Sequence, residues 1–139
     1  MNARLDLRLD ESCRRLGVAP AVADAQTTLT YEALAARADA LAYDLQQQNV
    51  QTDEPVIVAM SNHACDFAAL FAVWKAGGVA VPVHRRSSAS TVSDVLARTG
   101  ARLIVNAQPR EALAGINAAP NAIQRLAEAP PHQIGRAHV

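Results

Sequence analysis

Val73-Trp74-Lys75-Ala76-Gly77-Gly78-Val79-Ala80-Val81-Pro82-Val83 is the stretch whose reading decides the fold class. It joins the end of an apolar helix to a short, wholly apolar strand. The Gly77-Gly78 pair marks the joint, where a left-handed turn costs a glycine little. Lys75 falls in the last helical turn, where a cation suits the negative end of the helix dipole. The strand is rich in β-branched residues and free of polar ones, so it is expected to be covered on both faces, as in a parallel sheet.

The same alternation extends outward in both directions. Upstream, Pro55 opens a second apolar strand, Val56 to Met60. Ser61-Asn62 then stands where it could cap a helix running from roughly His63 to Ala76, with Phe67, Leu70, Phe71 and Trp74 as its apolar face. Downstream, the loop His84 to Ala89 leads into a helix of about Ser90 to Arg98, closed by Gly100, and then a strand, Arg102 to Val105. Strand, helix, strand, helix, strand with short joints predicts an α/β fold: part of a doubly wound, mostly parallel sheet with flanking helices and right-handed crossovers.

Farther upstream, Tyr31 to about Gln48 carries a helical stripe of Leu34, Ala35, Ala38, Leu41, Ala42 and Leu45, with Thr30 as its N-cap. Pro20 to Thr30 reads as a small hairpin around Asp24-Ala25-Gln26. Leu5 to Leu16 has apolar residues at helical spacing and is expected to end at Gly17. Beyond Asn106 the pattern weakens. Ala112 to Gly115 and Ala122 to Glu128 read as short helices, interrupted by Pro109, Pro120, Pro130 and Pro131.

Composition narrows the function classes. At 139 residues the chain suits one domain rather than two. Half of it is hydrophobic but only 4% is aromatic, and alanine supplies much of the apolar count, which favours closely packed helices. Thirteen basic residues balance thirteen acidic ones, so there is no electrostatic footprint for nucleic acid or an anionic membrane surface. No apolar run approaches the roughly 20 residues needed to span a bilayer. Cys13 and Cys65 are far apart and lack metal-ligand spacing, which predicts free thiols and a cytoplasmic location.

Two motifs carry a family resemblance. Leu29-Thr30-Tyr31-Glu32-Ala33-Leu34 resembles the early Leu-Thr-Tyr-x-Glu-Leu motif of the AMP-forming adenylating enzymes, which include acyl-CoA synthetases and the adenylation domains of peptide synthetases. Trp74 to Val83 resembles their Leu-Lys-Ala-Gly-x-Ala-Tyr-Val-Pro-Ile motif, and Thr99 to Val105 fits their next helix-to-strand joint. The likeness covers about Leu5 to Asn106. Peptide-synthetase domains usually have Tyr in place of Ala80 and Asp in place of His84, so the departures lean toward the acyl-CoA synthetase branch and its place in fatty acid metabolism.

The resemblance implies an N-terminal piece of an ATP-dependent acid:CoA ligase. The full enzyme would join a small carboxylic acid to AMP, then pass the acyl group to CoA, with ATP, Mg²⁺ and CoA as cofactors. The family's phosphate-gripping loop, adenine motif, hinge and catalytic Lys come later in its chains, so the fragment is expected to be inactive and to need the missing remainder of its own domain. The expected division is therefore 1–106 as part of the synthetase/ligase domain, 107–133 as a helical or loop segment, and 134–139 as foreign sequence. Ile134 to Val139 is what ATC GGA AGA GCA CAC GTC encodes, the start of a widely used sequencing adapter. The rival readings are a free-standing α/β binding or interaction domain without chemistry, and a piece of a peptide-synthetase adenylation domain.

Several local constellations are candidates for sites. His84-Arg85-Arg86 follows the carboxyl end of a strand, where open α/β sheets place ligands. The resemblance puts Arg86 at the CoA phosphate, a task suited to the guanidinium fork; the plainer reading is a solvated basic loop. Ser61-Asn62-His63 could offer backbone N–H groups to an anion, but the favoured reading is a helix cap. His63, Cys65 and Asp66 are too close in sequence on one helix to converge as metal ligands. Ser87-Ser88-Ala89-Ser90-Thr91 has neither Gly nor Lys and is expected to lead into a helix N-cap rather than to cradle a triphosphate. Trp74 is expected in the core or on a helix-packing surface, and Cys65 as a small buried hydrophobe rather than a reactive thiol. In the gene, the codons are expected to leave the adapter-like run after Gln133, and genomic sequence continuing through it would refute that origin.

Overall fold

A computed structural model describes residues 5–106, 113–114 and 123–126, with side chains from Arg8 onward. The first helix, α1 (Leu5–Leu16), is followed by a hairpin, β1 (Pro20–Ala23) and β2 (Thr28–Thr30), with Val22 opposite Leu29. Asp24 shapes its tip, where Oδ1 accepts from the amides of Gln26 and Thr27 at 2.8 Å each. Helix α2 (Tyr31–Gln47) starts as expected, the Ala33 amide donating to Thr30 Oγ1 at 3.0 Å. It buries Leu34, Ala35, Ala38, Ala42 and Leu45.

The remaining elements are β3 (Pro55–Met60), α3 (Asp66–Lys75), β4 (Val79–His84), α4 (Ala89–Thr99), β5 (Leu103–Asn106) and β6 (Ile123–Arg125). They form a four-stranded sheet in the order β4-β3-β5-β6, the first three parallel and β6 antiparallel to β5. The mostly parallel α/β sheet is therefore present. Side chains alternate across it. Val56, Val58, Leu103 and Val105 pack against Ala69, Ala72 and Val73 of α3 and Ala42 and Leu45 of α2, while Ile57, Ala59 and Ile104 pack with Val92 of α4 on the other face. A third cluster, Leu9, Leu29, Leu34, Ala38, Ala64, Cys65 and Ala68, ties α1 and the hairpin to α2 and α3. Cys65 is thus a small buried apolar side chain, and Trp74 packs edge-on to Phe71 at 5.3 Å between ring centroids.

Five expectations need correction. Strand β4 is not fully covered on either face: Val79 on one is 46% exposed and Pro82 on the other is exposed. An apolar run looks the same whether its cover comes from this chain or from elsewhere. Helix α3 begins three residues later than expected, after a turn through His63 and Ala64, and Ser61-Asn62 does not cap it. Its buried face is Ala68, Ala69, Ala72 and Val73, leaving Phe67 46% exposed. Small residues face α2 because they let two helices approach closely. Finally, Ile123–Arg125 is a strand, not part of a helix, paired with Leu103 to Val105. Leu113 and Ala114 are not helical, and the rest of 107–133, with all of 134–139, lies outside the described residues.

The Gly pair does two different jobs. Gly77 has φ +90°, open to glycine but strained for other residues, and nothing would meet a Cβ there. Gly78 has ordinary φ but no room: a Cβ would lie 3.0 Å from the Glu54 carbonyl oxygen and 3.2 Å from Val73 Cγ1. Gly77→Ala and Gly78→Ala are each expected to cost about 1–3 kcal/mol in urea unfolding, the first through backbone strain and the second through overpacking. Only Gly78→Ala should also loosen the amide of Val79, readable by hydrogen exchange.

Candidate functional site

Helix α3 lies on one face of the sheet and α4 on the other, so the chain leaves the carboxyl ends of the adjacent strands β3 and β4 in opposite directions. Open α/β sheets bind ligands at such a switch point. Here it is framed by Ser61-Asn62-His63 after β3 and His84-Arg85-Arg86 at the end of β4, joined by the Arg85 amide donating to the Met60 carbonyl at 2.8 Å. Both sequence candidates therefore meet at one edge of the sheet.

The Ser61 turn already holds an anion of its own. Asp66 is 2% exposed and reaches back: Oδ2 accepts from the Ser61 amide at 2.8 Å and the His63 amide at 3.3 Å, and Oδ1 accepts from Ser61 Oγ at 2.8 Å. His63 Nδ1 lies 2.9 Å from the same hydroxyl. A second carboxylate arrives from the hairpin, with Asp24 Oδ2 accepting from the Ala64 amide at 2.6 Å. That contact, with the Gln26 amide next, outweighs desolvation and holds the Asp24 carboxyl below its ordinary value, helped by the Thr27 amide and the His63 charge. The amides of Ser61, His63 and Ala64 are thus claimed internally. Asn62, exposed at φ +63°, is the residue it presents outward.

On the other strand, the Arg86 amide donates to His84 Nδ1 at 3.1 Å and the Ser87 amide to the His84 carbonyl at 2.9 Å, making a tight turn with the Arg86 side chain exposed. The serine run then ends in the expected cap, with Ser88 Oγ accepting from the Thr91 amide at 3.2 Å. Ser88 Oγ also meets the hydroxyls of Ser90 and Thr91. Among the described residues no group of three or more His, Cys, Asp or Glu side chains could hold a metal ion, and no helix is long and apolar enough to cross a membrane.

Three charged contacts went unseen in the sequence. Lys75 Nζ lies 2.8 Å from Asp10 Oδ1 and 3.2 Å from Asp39 Oδ1, binding α3 to α1 and α2. Burial alone would lower the Lys75 pKa, but these two hydrogen bonds outweigh it and raise it above its ordinary value. Arg102 grips both Glu54 oxygens, Nε at 2.6 Å from Oε2 and Nη2 at 3.1 Å from Oε1. Nη2 also donates to the Gln48 and Asn49 carbonyls that end α2. Burial pushes Glu54 up, and the Arg102 hydrogen bond, the Gln51 amide and the Arg102 charge more than offset it, so its pKa is lowered. In the sheet, Asn106 Nδ2 donates to Gln124 Oε1 at 2.6 Å, both residues buried. None of these partners is near in sequence, so only the fold could reveal them.

The two motifs, the mostly parallel sheet and its switch point all point to one family. The chain belongs to the AMP-binding enzyme family, which it matches over residues 9–135. It is 36% identical over 97 residues to phosphinothricin tripeptide synthetase PhsC of Streptomyces viridochromogenes, covering 70% of this chain and 9% of that protein. It is 31% identical over 105 residues to tyrocidine synthase 3 of Brevibacillus parabrevis, covering 75% of this chain and 2% of that protein. The chain thus spans under a tenth of the length of either relative. Among solved structures, the peptide synthetase FmoA3 in its α-methyl-L-serine-AMP bound form superposes with a TM-score of 0.75 at 27% identity, over 86% of this chain and 14% of that one. The N-terminal subdomain of Klebsiella oxytoca NpsA shares the fold, with a TM-score of 0.69 at 24% identity, over 86% and 30% of the two chains.

Two outcomes follow for stability. Asp66→Ala leaves the Ser61 and His63 amides without their acceptor and is expected to cost about 2–3 kcal/mol in urea unfolding, whereas Asp24→Ala, half exposed, should cost less. Against pH, the lowered carboxyls of Asp24 and Glu54 stabilise the fold above their ordinary values of 3.8 and 4.5, and that contribution disappears as pH falls through the lower folded values. Lys75, raised, contributes fully below 10.5 and loses its contribution as pH climbs through the higher folded value. Thermal unfolding midpoints should accordingly be flat between these limits. In Lys75→Met the alkaline decline should shrink while the acid one persists.

Proposed function

We propose that the chain is the opening portion of an enzyme that activates a small carboxylic acid with ATP as an acyl-adenylate, and that this portion supplies scaffold rather than chemistry. The observation that carries the reading is the family match over 9–135 in a chain spanning under a tenth of its curated relatives. The Ser87–Thr91 run supports the second half, since it has neither Gly nor Lys and its Ser88 caps α4. ATP and Mg²⁺ then belong to residues outside this portion. The domain division at 106 and 133 belongs to the same proposal, with 134–139 as adapter sequence.

The fate of the acyl group divides two readings. The identity of the relatives favours a peptide-synthetase adenylation domain. Ala80 and His84, where that pattern has Tyr and Asp, favour an acid:CoA ligase, and the exposed Arg86 at the carboxyl edge of β4 supports a contact with the CoA phosphate. A free-standing binding domain lacks a comparable observation in its favour.

Full-length protein is expected to exchange labelled pyrophosphate into ATP only when its acid is present, while the 139-residue chain exchanges none. Exchange by the short chain would overturn the scaffold role. With CoA added, an acyl-CoA thioester seen by mass spectrometry supports the ligase reading, and Arg86→Ala should then raise KM for CoA about tenfold with kcat little changed. An unchanged KM removes Arg86 from the site, and exchange without thioester leaves the peptide-synthetase reading.

A further inference from the structure

The hydrogen-bonding direction of β4 is fixed at both its ends. The Val79 amide donates to the Glu54 carbonyl and the Arg85 amide to the Met60 carbonyl, each at 2.8 Å. In a parallel ladder, the N–H and C=O of one residue point to the same side and successive residues alternate. Val79, Val81, Val83 and Arg85 therefore face β3, and Ala80, Pro82 and His84 face away. Register agrees, since Val79 to His84 run opposite Pro55 to Met60 without a break.

Proline thus occupies the middle of the three outward positions. It has no N–H to offer, so the outward donors of β4 are the amides of Ala80 and His84, about 13 Å apart along the strand. The His84 carbonyl is already taken by the Ser87 amide. A strand approaching this side would find no donor at its centre and lose an acceptor at its end. Pro82 costs nothing on the inner side, where Val81 and Val83 keep their amides.

We propose that the outer side of β4 is the terminal edge of the sheet, closed to strand addition by Pro82. Neither a second copy of this chain nor any later segment of the same protein extends the sheet there. The exposed Val79 and Pro82 are then side-chain contact surface only, and the unpaired edge is not the route by which the chain self-associates.

Site-resolved hydrogen exchange on the full-length protein reads this directly. The amides of Ala80 and His84 are expected to exchange about tenfold or more faster than those of Val81 and Val83. Equal protection at all four would mean that a strand covers the edge, and the proposal would fall. Pro82→Ala, which restores the central donor, is expected to give a sedimentation mass that rises with concentration more steeply than that of the parent. A parent-like mass in a folded Pro82→Ala protein would show that proline is not what closes the edge. Should the variant not fold, the exchange pattern of the parent still decides.

Discussion

The approach of the Gly78 backbone to Glu54 sets where β3 and β4 meet, and much of the molecule depends on that contact. Without a Cβ at Gly78, the Glu54 carbonyl can accept from Val79 and start the parallel ladder in its observed register. The carboxylate of the same residue holds Arg102, whose guanidinium also closes the carbonyl end of α2 just before β5 begins. One residue therefore coordinates two strands, a helix end and the entry to a third strand. A bidentate, partly buried pair of this kind is worth more than an exposed ion pair, because solvent screens it less.

At the opposite end of the sheet, carboxylates again fix backbone, here around the turn that leaves β3. Asp66 and Asp24 take its amides from opposite sides, one from within α3 and one from the hairpin tip. The hairpin is thus fastened to the carboxyl edge of the sheet although it belongs to a separate two-stranded sheet. A switch point bounded by a hydrogen-bonded turn and a basic turn is a suitable frame for ligand.

The order of elements was legible because each rests on local signals. Thr30 and Ser88 cap helices through their own hydroxyls, Gly100 closes α4 at φ +67°, and Pro55 starts a strand at a point where β5 does not yet need its amide. What the sequence hid depends on distant partners. Ser61 looked like a cap because Ser commonly is one, yet Asp66, five residues on, turns out to hold it. Ile123 to Arg125 carries too few residues for its period to declare a strand, and its pairing with β5 decides the matter. Arg86 was singled out by its match to the resembled family's loop after a strand, and the structure shows it exposed there, whereas Lys75, read as a helix-end charge, joins three helices through Asp10 and Asp39.

The contact between α2 and α3 is built largely from methyl groups: Ala38 and Ala42 on one side, Ala68, Ala69 and Ala72 on the other, each 7% exposed or less. Backbones brought this near leave no slack for a longer side chain from either helix. As the lineage drifts, these positions can exchange only among the smallest residues, however freely the outward faces vary. The seam between the two helices should consequently change more slowly than the basic turn at the sheet's edge, and proteins with very different substrates can retain it unaltered.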